Sequence, residues 1–287
     1  MDSVINIDKP SGPSSFAAVA KVRRLLHIRR AGHAGTLDPL ACGVLLVMTG
    51  QATRAAQYLE ALPKEYLATV LLGRITDSDD LEGTILAEAP VPDIDRDGLA
   101  TMLQRFTGRI QQAPPRFSAL KRNGRPLYKL AREGTPVDPE PRTVTVHSIE
   151  LLDLRLPEAD ILVRCAKGTY IRSLARDIGR QLGCGGTLSK LRRTAIGEFT
   201  VRDAVPLSEA DAATLRSRAL PMDAALDFLP PLELDEEMGR KAHQGNRVLA
   251  TPGAAEGAAC RLRCQGQLLA IGRVLAGGWI QPECVFN

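Results

Sequence analysis

Two short stretches of this 287-residue chain hold residue types suited to acid–base or nucleophilic work. The first is Gly32-His33-Ala34-Gly35-Thr36-Leu37-Asp38-Pro39. Proline disfavours the α region for the residue before it, so Asp38 is expected to be extended. The glycines around it allow another backbone to come close. By composition alone, Asp-Pro in a glycine loop is an ordinary turn. The second stretch is Lys167-Gly168-Thr169-Tyr170-Ile171-Arg172, at a strand-to-helix junction, with one aromatic and two cations in six residues. A carboxylate on one loop and an arginine opening a helix suit a buried ion pair, which keeps the acid charged where burial would neutralise it. Alone, Arg172 reads as a surface charge on its helix. Only 4 % of residues are aromatic, so Tyr170 among these charges carries weight.

Other chemistries find little support. The six cysteines (42, 165, 184, 260, 264 and 284) are scattered, so free thiols are expected rather than a disulfide framework. Cys260 and Cys264 lack a second pair for a zinc site, and the four histidines (27, 33, 147, 243) lack helical ligand spacing. No metal, nucleotide or other cofactor is expected. The apolar run Val44–Met48 falls far short of the ~20 residues of a membrane helix. The opening MDSVINIDKPSG lacks the basic-then-apolar order of a secretory signal, which makes the cytoplasm the expected location.

Net charge is only +4, but it is unevenly spread. Lys21 to Arg30 carries five basic residues and no acid, and Arg164 to Arg193 carries eight against Asp177 alone. Thr76 to Asp97 holds eight acids against Arg96, and Asp203 to Met238 holds nine against Arg216 and Arg218. Either these are solvated faces, or a basic face follows a phosphate backbone while the acidic stretches turn away.

The elements that must position these residues follow from periodicity. Ser14 and Ser15 open a capped helix with Phe16, Val19, Val22 and Leu26 at helical spacing. The glycine-rich loop comes next, then a buried strand, GVLLVM. Glu65 to Gly73 alternates Tyr66, Ala68, Val70 and Leu72 as a half-buried strand does. Asp95 to Phe106 reads as a helix, Arg142 to Leu156 and Asp160 to Ala166 as strands, and Ile171 to Leu182 as a helix stopped by Gly183. The fold class is α+β with a mixed, largely antiparallel sheet. Gln112 to Arg142, rich in proline and with seven basic residues against three acidic, interrupts that pattern as an insertion. The character changes again after Pro230-Pro231: residues 1–230 form the main domain, and 231–287 read as a short helix and strands of a small β-barrel.

Read in order, these motifs resemble the bacterial tRNA pseudouridine synthases of the TruB type along essentially the whole chain. The resemblance rests on Lys9-Pro10-Ser11-Gly12 with Ser14-Ser15, GHAGTLDPLACGVL, Arg74-Ile75-Thr76-Asp77, KGTYIRSLARDIGRQLG and Leu191-Arg192-Arg193. It implies a catalytic domain with an RNA-gripping insertion and a C-terminal PUA-like domain. It implies isomerisation of uridine to pseudouridine at position 55 in the T loop of tRNA, with no cofactor, by a monomer that needs no guide RNA. In that reaction the C1′–N1 bond breaks, the uracil rotates and a C1′–C5 bond forms.

The same resemblance assigns roles. Asp38 is the essential carboxylate, whether it attacks the sugar, attacks the base or deprotonates C2′. Arg172 holds it charged and aimed. Tyr66 stacks on the flipped uracil and can transfer a proton, while Tyr170 and Leu191 line its pocket. His33 fills the space that flipped nucleotides leave. The resemblance makes Lys9 and Pro10 structural support, while Lys167 on its own reads either as a phosphate contact or as a neutral surface residue. Without the family, Tyr66 reads as a strand-face core aromatic and Leu191 as a core leucine. The basic run ending at Arg30, the insertion's Arg116, Lys121, Arg122, Arg125, Lys129 and Arg132, and Arg192-Arg193 would follow the tRNA elbow, with binding that weakens steeply in salt. Ala34, Cys42, Ser78 and Phe117 depart from the usual family residues. Two rivals remain: a guide-RNA-dependent synthase of the dyskerin type, which the insertion argues against, and an RNA-binding protein without chemistry, which has no need of Asp38 and Arg172.

Overall fold

A computed structural model describes residues 1–118, 120–122, 124–133, 139–249 and 255–286; the side chains of Lys121, Arg122 and Arg132 lie outside the described set. The main body runs β1 (Ser3–Lys9), α1 (Ser15–Leu26), β2 (Ala31–Ala34), β3 (Cys42–Thr49) and β4 (Lys64–Leu72). It continues with α2 (Arg96–Leu103), β5 (Gly108–Gln112), β6 (Arg142–Arg155), β7 (Glu158–Cys165), α3 (Ile171–Gln181) and β8 (Gly186–Ile196). From the Val205–Pro206 edge the sheet order is β1, β3, β8, β4, β7, β6, β5. Among the described residues its pairings are antiparallel, except β1 with Val205–Pro206 and β3 with β8. The sheet is therefore mixed and largely antiparallel.

Local chemistry explains the elements. β3 is buried almost throughout, as a strand covered on both faces must be. β4 buries Tyr66, Ala68, Val70 and Leu72 on one face by its period of two. The Ser14 side chain accepts from the Ala17 N–H at 3.2 Å and caps α1. Phe16 departs from expectation: it is 76 % exposed. The buried stripe of α1 is centred on Ser15, Val22 and Leu26, and Phe16 lies about 100° around the helix from it. A second departure is β2. Ala31–Ala34 is not open loop but pairs with Leu46–Thr49, so the free loop to Asp38 starts only at Gly35.

The insertion leaves the sheet at Gln112 and returns at Arg142, and these two residues face each other across β5 and β6. The chain past 230 builds a second sheet from β9 (Pro231–Leu234), β10 (Val248–Leu249), β11 (Ala259–Cys264), β12 (Gln267–Val274) and β13 (Trp279–Val285). Its order is β9, β11, β12, β13, β10, a curled half-barrel that packs against α4 (Glu236–His243). This sheet has an apolar core of its own around Leu262, Ala270 and Ile280. A further cluster joins Ile271, Cys284 and Phe286 to Val4, Leu46, Met48 and Leu59 beneath the main sheet.

The charge blocks do not behave as separate faces. The acidic segment after β4 folds against α3, so that Asp79 pairs with Arg176 at 2.8 Å and Asp80 lies 3.4 Å from Arg172. Arg164 pairs with Glu65 and Arg192 with Asp8, each at 2.6 Å. Arg193, expected at an RNA surface, is 1 % exposed. At Asp79 burial disfavours the charged carboxylate and the Arg176 guanidinium opposes it, so such pairs fix which segments meet more than they add net stability.

Candidate active site

The Asp38 loop springs from the place where β3 and β8 run side by side. Gly43 sits there at φ +104°, and a Cβ on it would meet the Arg193 carbonyl oxygen at 2.2 Å, so only glycine lets the strands close. Arg193 reaches up from β8 into the loop: Nε donates to the Val44 carbonyl at 2.7 Å, Nη2 to Gly35 at 3.1 Å and Nη1 to Thr36 at 3.3 Å. Ser15 fixes the next turn. Its hydroxyl donates to the Leu37 carbonyl at 2.9 Å and accepts from the Leu37 N–H at 2.8 Å. Asp38 is thus held at the tip of a loop tied down from two sides, with its side chain 34 % exposed.

Arg172 comes from the first turn of α3 and is 4 % exposed. Its Nε lies 2.9 Å from Asp38 Oδ2. That N–H is not aimed for a hydrogen bond, so the contact is one of charge. The rest of the guanidinium is immobilised: Nη1 donates to the Ser78 carbonyl and Nη2 to the Phe117 carbonyl, both at 3.0 Å. Asp80, 4 % exposed, is held in turn by the Ser78 hydroxyl at 2.5 Å and the Glu82 N–H at 3.0 Å. The acidic hairpin after β4, in which Arg74–Thr76 pairs antiparallel with Ile85–Glu88, and the insertion therefore both set the arginine that faces Asp38.

Two cavities meet at this pair. One, of about 570 Å³, is lined by Asp38, Arg172, Tyr66, Tyr170, Leu191 and Lys167 together with Lys64 and Arg193. The other, of about 640 Å³, shares Asp38 and Arg172 and is lined by His33, Phe16, Phe117 and the acids Asp77, Asp80 and Glu82. Ser118 lines both, 4 % exposed, and its hydroxyl has no partner among the described residues. The structure thus gathers six of the sequence-selected residues around the first cavity and places His33 in the second. Lys9 and Pro10 line neither of these two. The Lys9 ammonium is buried and donates to the carbonyls of Pro10 and Pro13, each at 2.8 Å, beneath the site.

Burial shifts four groups in the cavities or beneath them. It pushes the Tyr66 hydroxyl up from its ordinary range, with the Arg193 guanidinium opposing. It lowers His33, leaving a neutral imidazole favoured, and its Nδ1 is buried without a partner among the described residues. It lowers Lys64 to about 8, and that ammonium donates to the Leu62 carbonyl at 2.7 Å and to the Glu60 carbonyl. Lys9 is lowered for the same reason.

Sequence reasoning missed Lys64, Asp80 and Ser118 and misplaced Arg193. A signal was available for two of them. Lys64 and Tyr66, and likewise Leu191 and Arg193, stand two apart on a strand and so share the face that looks into the cavity. Asp80 had no such signal, since its meeting with Arg172 is purely tertiary.

Comparison with known proteins now defines the class. Residues 23–171 match the TruB family pseudouridylate synthase N-terminal domain, 172–233 the tRNA pseudouridylate synthase B C-terminal domain, and 230–286 the pseudouridine synthase II TruB C-terminal domain. The fold and the matches are those of a pseudouridine synthase, an isomerase that acts on RNA. The tRNA pseudouridine synthase B of Aromatoleum aromaticum is 46 % identical over 286 residues, covering 99 % of this chain and 92 % of that one. That of Azoarcus sp. is 45 % identical, covering 99 % and 94 %. Among solved structures, a chain of a Cbf5-Nop10-Gar1 complex superimposes with a TM-score of 0.78 at 29 % identity, covering 99 % of this chain and 85 % of that one. The chain belongs to the TruB family of pseudouridine synthases, and its substrate is uridine in tRNA.

Proposed function

We propose that the chain converts the uridine at position 55, in the T loop of tRNA, with Asp38 as its essential carboxylate. The observation that carries this is the Asp38–Arg172 pair, 2.9 Å apart on ground shared by two cavities. A stacked base cannot be detached and turned, so it must first swing out of the RNA, at a cost of a few kcal/mol. Stacking on Tyr66 and contact with Tyr170 and Leu191 offset much of that, at about 1–3 kcal/mol per stacked base. The first cavity receives the uracil, and His33 in the second occupies the gap left in the RNA. Asp38 acts on the nucleoside as a carboxylate, and the Arg172 guanidinium beside it holds it aimed. The C1′–N1 bond breaks, the ring turns, the C1′–C5 bond forms, and the proton lost from C5 is balanced by one gained at N1.

The RNA is held by the insertion, by Lys167, which is exposed at the mouth of the first cavity, and by Arg23, Arg24, Arg29 and Arg30, which stay at the surface. Pro10 and Lys9 support the loop from below. The enzyme works in the cytoplasm, as a monomer, without cofactor or guide RNA. Residues 1–230 serve as the catalytic domain, and 231–287 as an RNA-binding domain. Likeness to a chain of an H/ACA RNP bound to a substrate RNA favours a second reading, in which a guide RNA in a particle presents the uridine.

The test is tritium release from a tRNA transcript labelled at uracil C5, with binding measured alongside. Wild type on bare tRNA should release tritium, and Asp38→Asn should bind with little change but release none. Replacing U55 by C should abolish release. Release only when a guide is added would establish the second reading. Binding without release by either protein would leave Asp38 with no catalytic part.

A further inference from the structure

The insertion is fastened to the uracil cavity at both of its ends, and both fastenings fall on one residue, Tyr170. At the outgoing end, Gln112 is 1 % exposed, and its carboxamide brackets the Tyr170 backbone. The amide oxygen accepts from the Tyr170 N–H at 2.8 Å, and the amide nitrogen donates to the Tyr170 carbonyl at 3.1 Å. Tyr170 stands just ahead of the first turn of α3 and lacks a side-chain cap, so this carboxamide holds in place the residue that opens the helix. At the returning end, Arg142 lies with its guanidinium carbon 5.2 Å from the centre of the Tyr170 ring and donates to the Gly168 carbonyl at 2.7 Å. Gln112 and Arg142 are themselves opposite each other in the β5–β6 ladder. The residues beyond Gln112 continue the attachment, since the Ala113 carbonyl accepts from the Ser173 hydroxyl at 2.8 Å and from Arg176 at 2.9 Å.

We propose that Gln112 and Arg142 are positioning residues through which the seating of RNA on the insertion sets the Tyr170 wall of the base cavity. This rests on the synthase reading above and deepens it. The amide's acceptor and donor hold the N–H and the carbonyl of one residue, in the peptide groups on either side of its Cα, so any shift of the insertion's root moves Tyr170 with it. The cation over the ring then fixes the side chain, a contact that strengthens as the site is desolvated. Neither residue has to touch the reacting atoms. A wall misplaced by about 1 Å is enough to slow a reaction a hundredfold, so the clamp matters even though it takes no part in the chemistry.

Two variants test this. Gln112→Met keeps the buried volume and removes both amide bonds; Arg142→Lys keeps the charge and removes the flat cation. The first readout needs no turnover: the fluorine spectrum of protein labelled with 3-fluorotyrosine, which has four tyrosines, with the Tyr170 resonance assigned from Tyr170→Phe. Both variants should shift or broaden that resonance and leave that of Tyr58 in place. The second readout is single-turnover isomerisation, expected to slow about tenfold with tRNA affinity within twofold. Placed in a Tyr170→Ala background, either substitution should add no further loss, because residues acting through one group are not additive. An unmoved Tyr170 resonance overturns the clamp whether or not the protein turns over tRNA, and so does full additivity with Tyr170→Ala. A resonance moved in the variants, together with a wild type that releases no tritium from bare tRNA, keeps the clamp and overturns the proposed reaction at position 55. Should Gln112→Met fail to fold, Arg142→Lys, at a partly exposed position, carries the same outcomes.

Discussion

The residue that best separates burial from pairing is Lys64. It lines the first cavity, 7 % exposed, and donates to two carbonyls, and the charge of Glu60 opposes the effect of burial without outweighing it. Burial lowers it to about 8, whereas in the unfolded chain it keeps the usual value near 10.5. Between those values the unfolded chain holds more protons, so Lys64 makes stability rise with pH across that window. Lys64→Met lacks this contribution. Urea midpoints at pH 8, 9 and 10 should show the variant losing ground to wild type as pH rises. Parallel curves would mean that Lys64 keeps its proton in the folded state. Asp38 and Arg172 differ from Lys64 in kind, because each has the other's charge within 2.9 Å.

At the scale of elements, α3 decides where Arg172 sits, and Gly179 decides how closely α3 lies on the sheet. A Cβ on Gly179 would meet the carbonyl carbon of Gly185 and the nitrogen of Gly186 at 2.1 Å each. Those are backbone atoms at the head of β8, with no flexible side chain to yield. Gly179→Ala should push the helix off the sheet at a cost of about 1–3 kcal/mol. Arg172, two turns earlier, then loses its alignment with Asp38. The expected result is a lower thermal midpoint together with a lower kcat for tritium release. A stable, fully active Gly179→Ala protein would show that the helix absorbs the methyl without moving.

Across the whole molecule, the C-terminal sheet and the main body share a core. Ile271 and Phe286 pack with Leu46 and Met48, and Arg261, 5 % exposed, donates to the Leu229 and Asp223 carbonyls at 2.9 Å each and to Asp227 Oδ1 at 2.7 Å. Each large apolar side chain buried there contributes roughly 1.5–3 kcal/mol. Thermal unfolding of the full chain should therefore be one transition seen alike by calorimetry and far-UV circular dichroism. A chain ended at residue 230 should unfold at a distinctly lower temperature. Two separate transitions, or an unchanged midpoint on truncation, would show that the shared apolar contacts contribute little.

The sequence by itself determined the elements, because period and punctuation are local: Tyr66, Ala68, Val70 and Leu72 alternate, Ser14 caps, and Gly183 follows the helix end. It also determined the family, through ordered motifs rather than any single residue. It misled at Phe16, where helical spacing held but the stripe was centred elsewhere, and at Arg193, where a run of cations concealed a buried clamp. Only the tertiary structure decided that the acidic hairpin would meet the basic helix, that Asp80 would brace Arg172, and that both ends of the insertion would hold Tyr170. Those contacts join residues tens of positions apart or more. The free energy of such pairs depends on distance and burial, and neither quantity is written in local pattern.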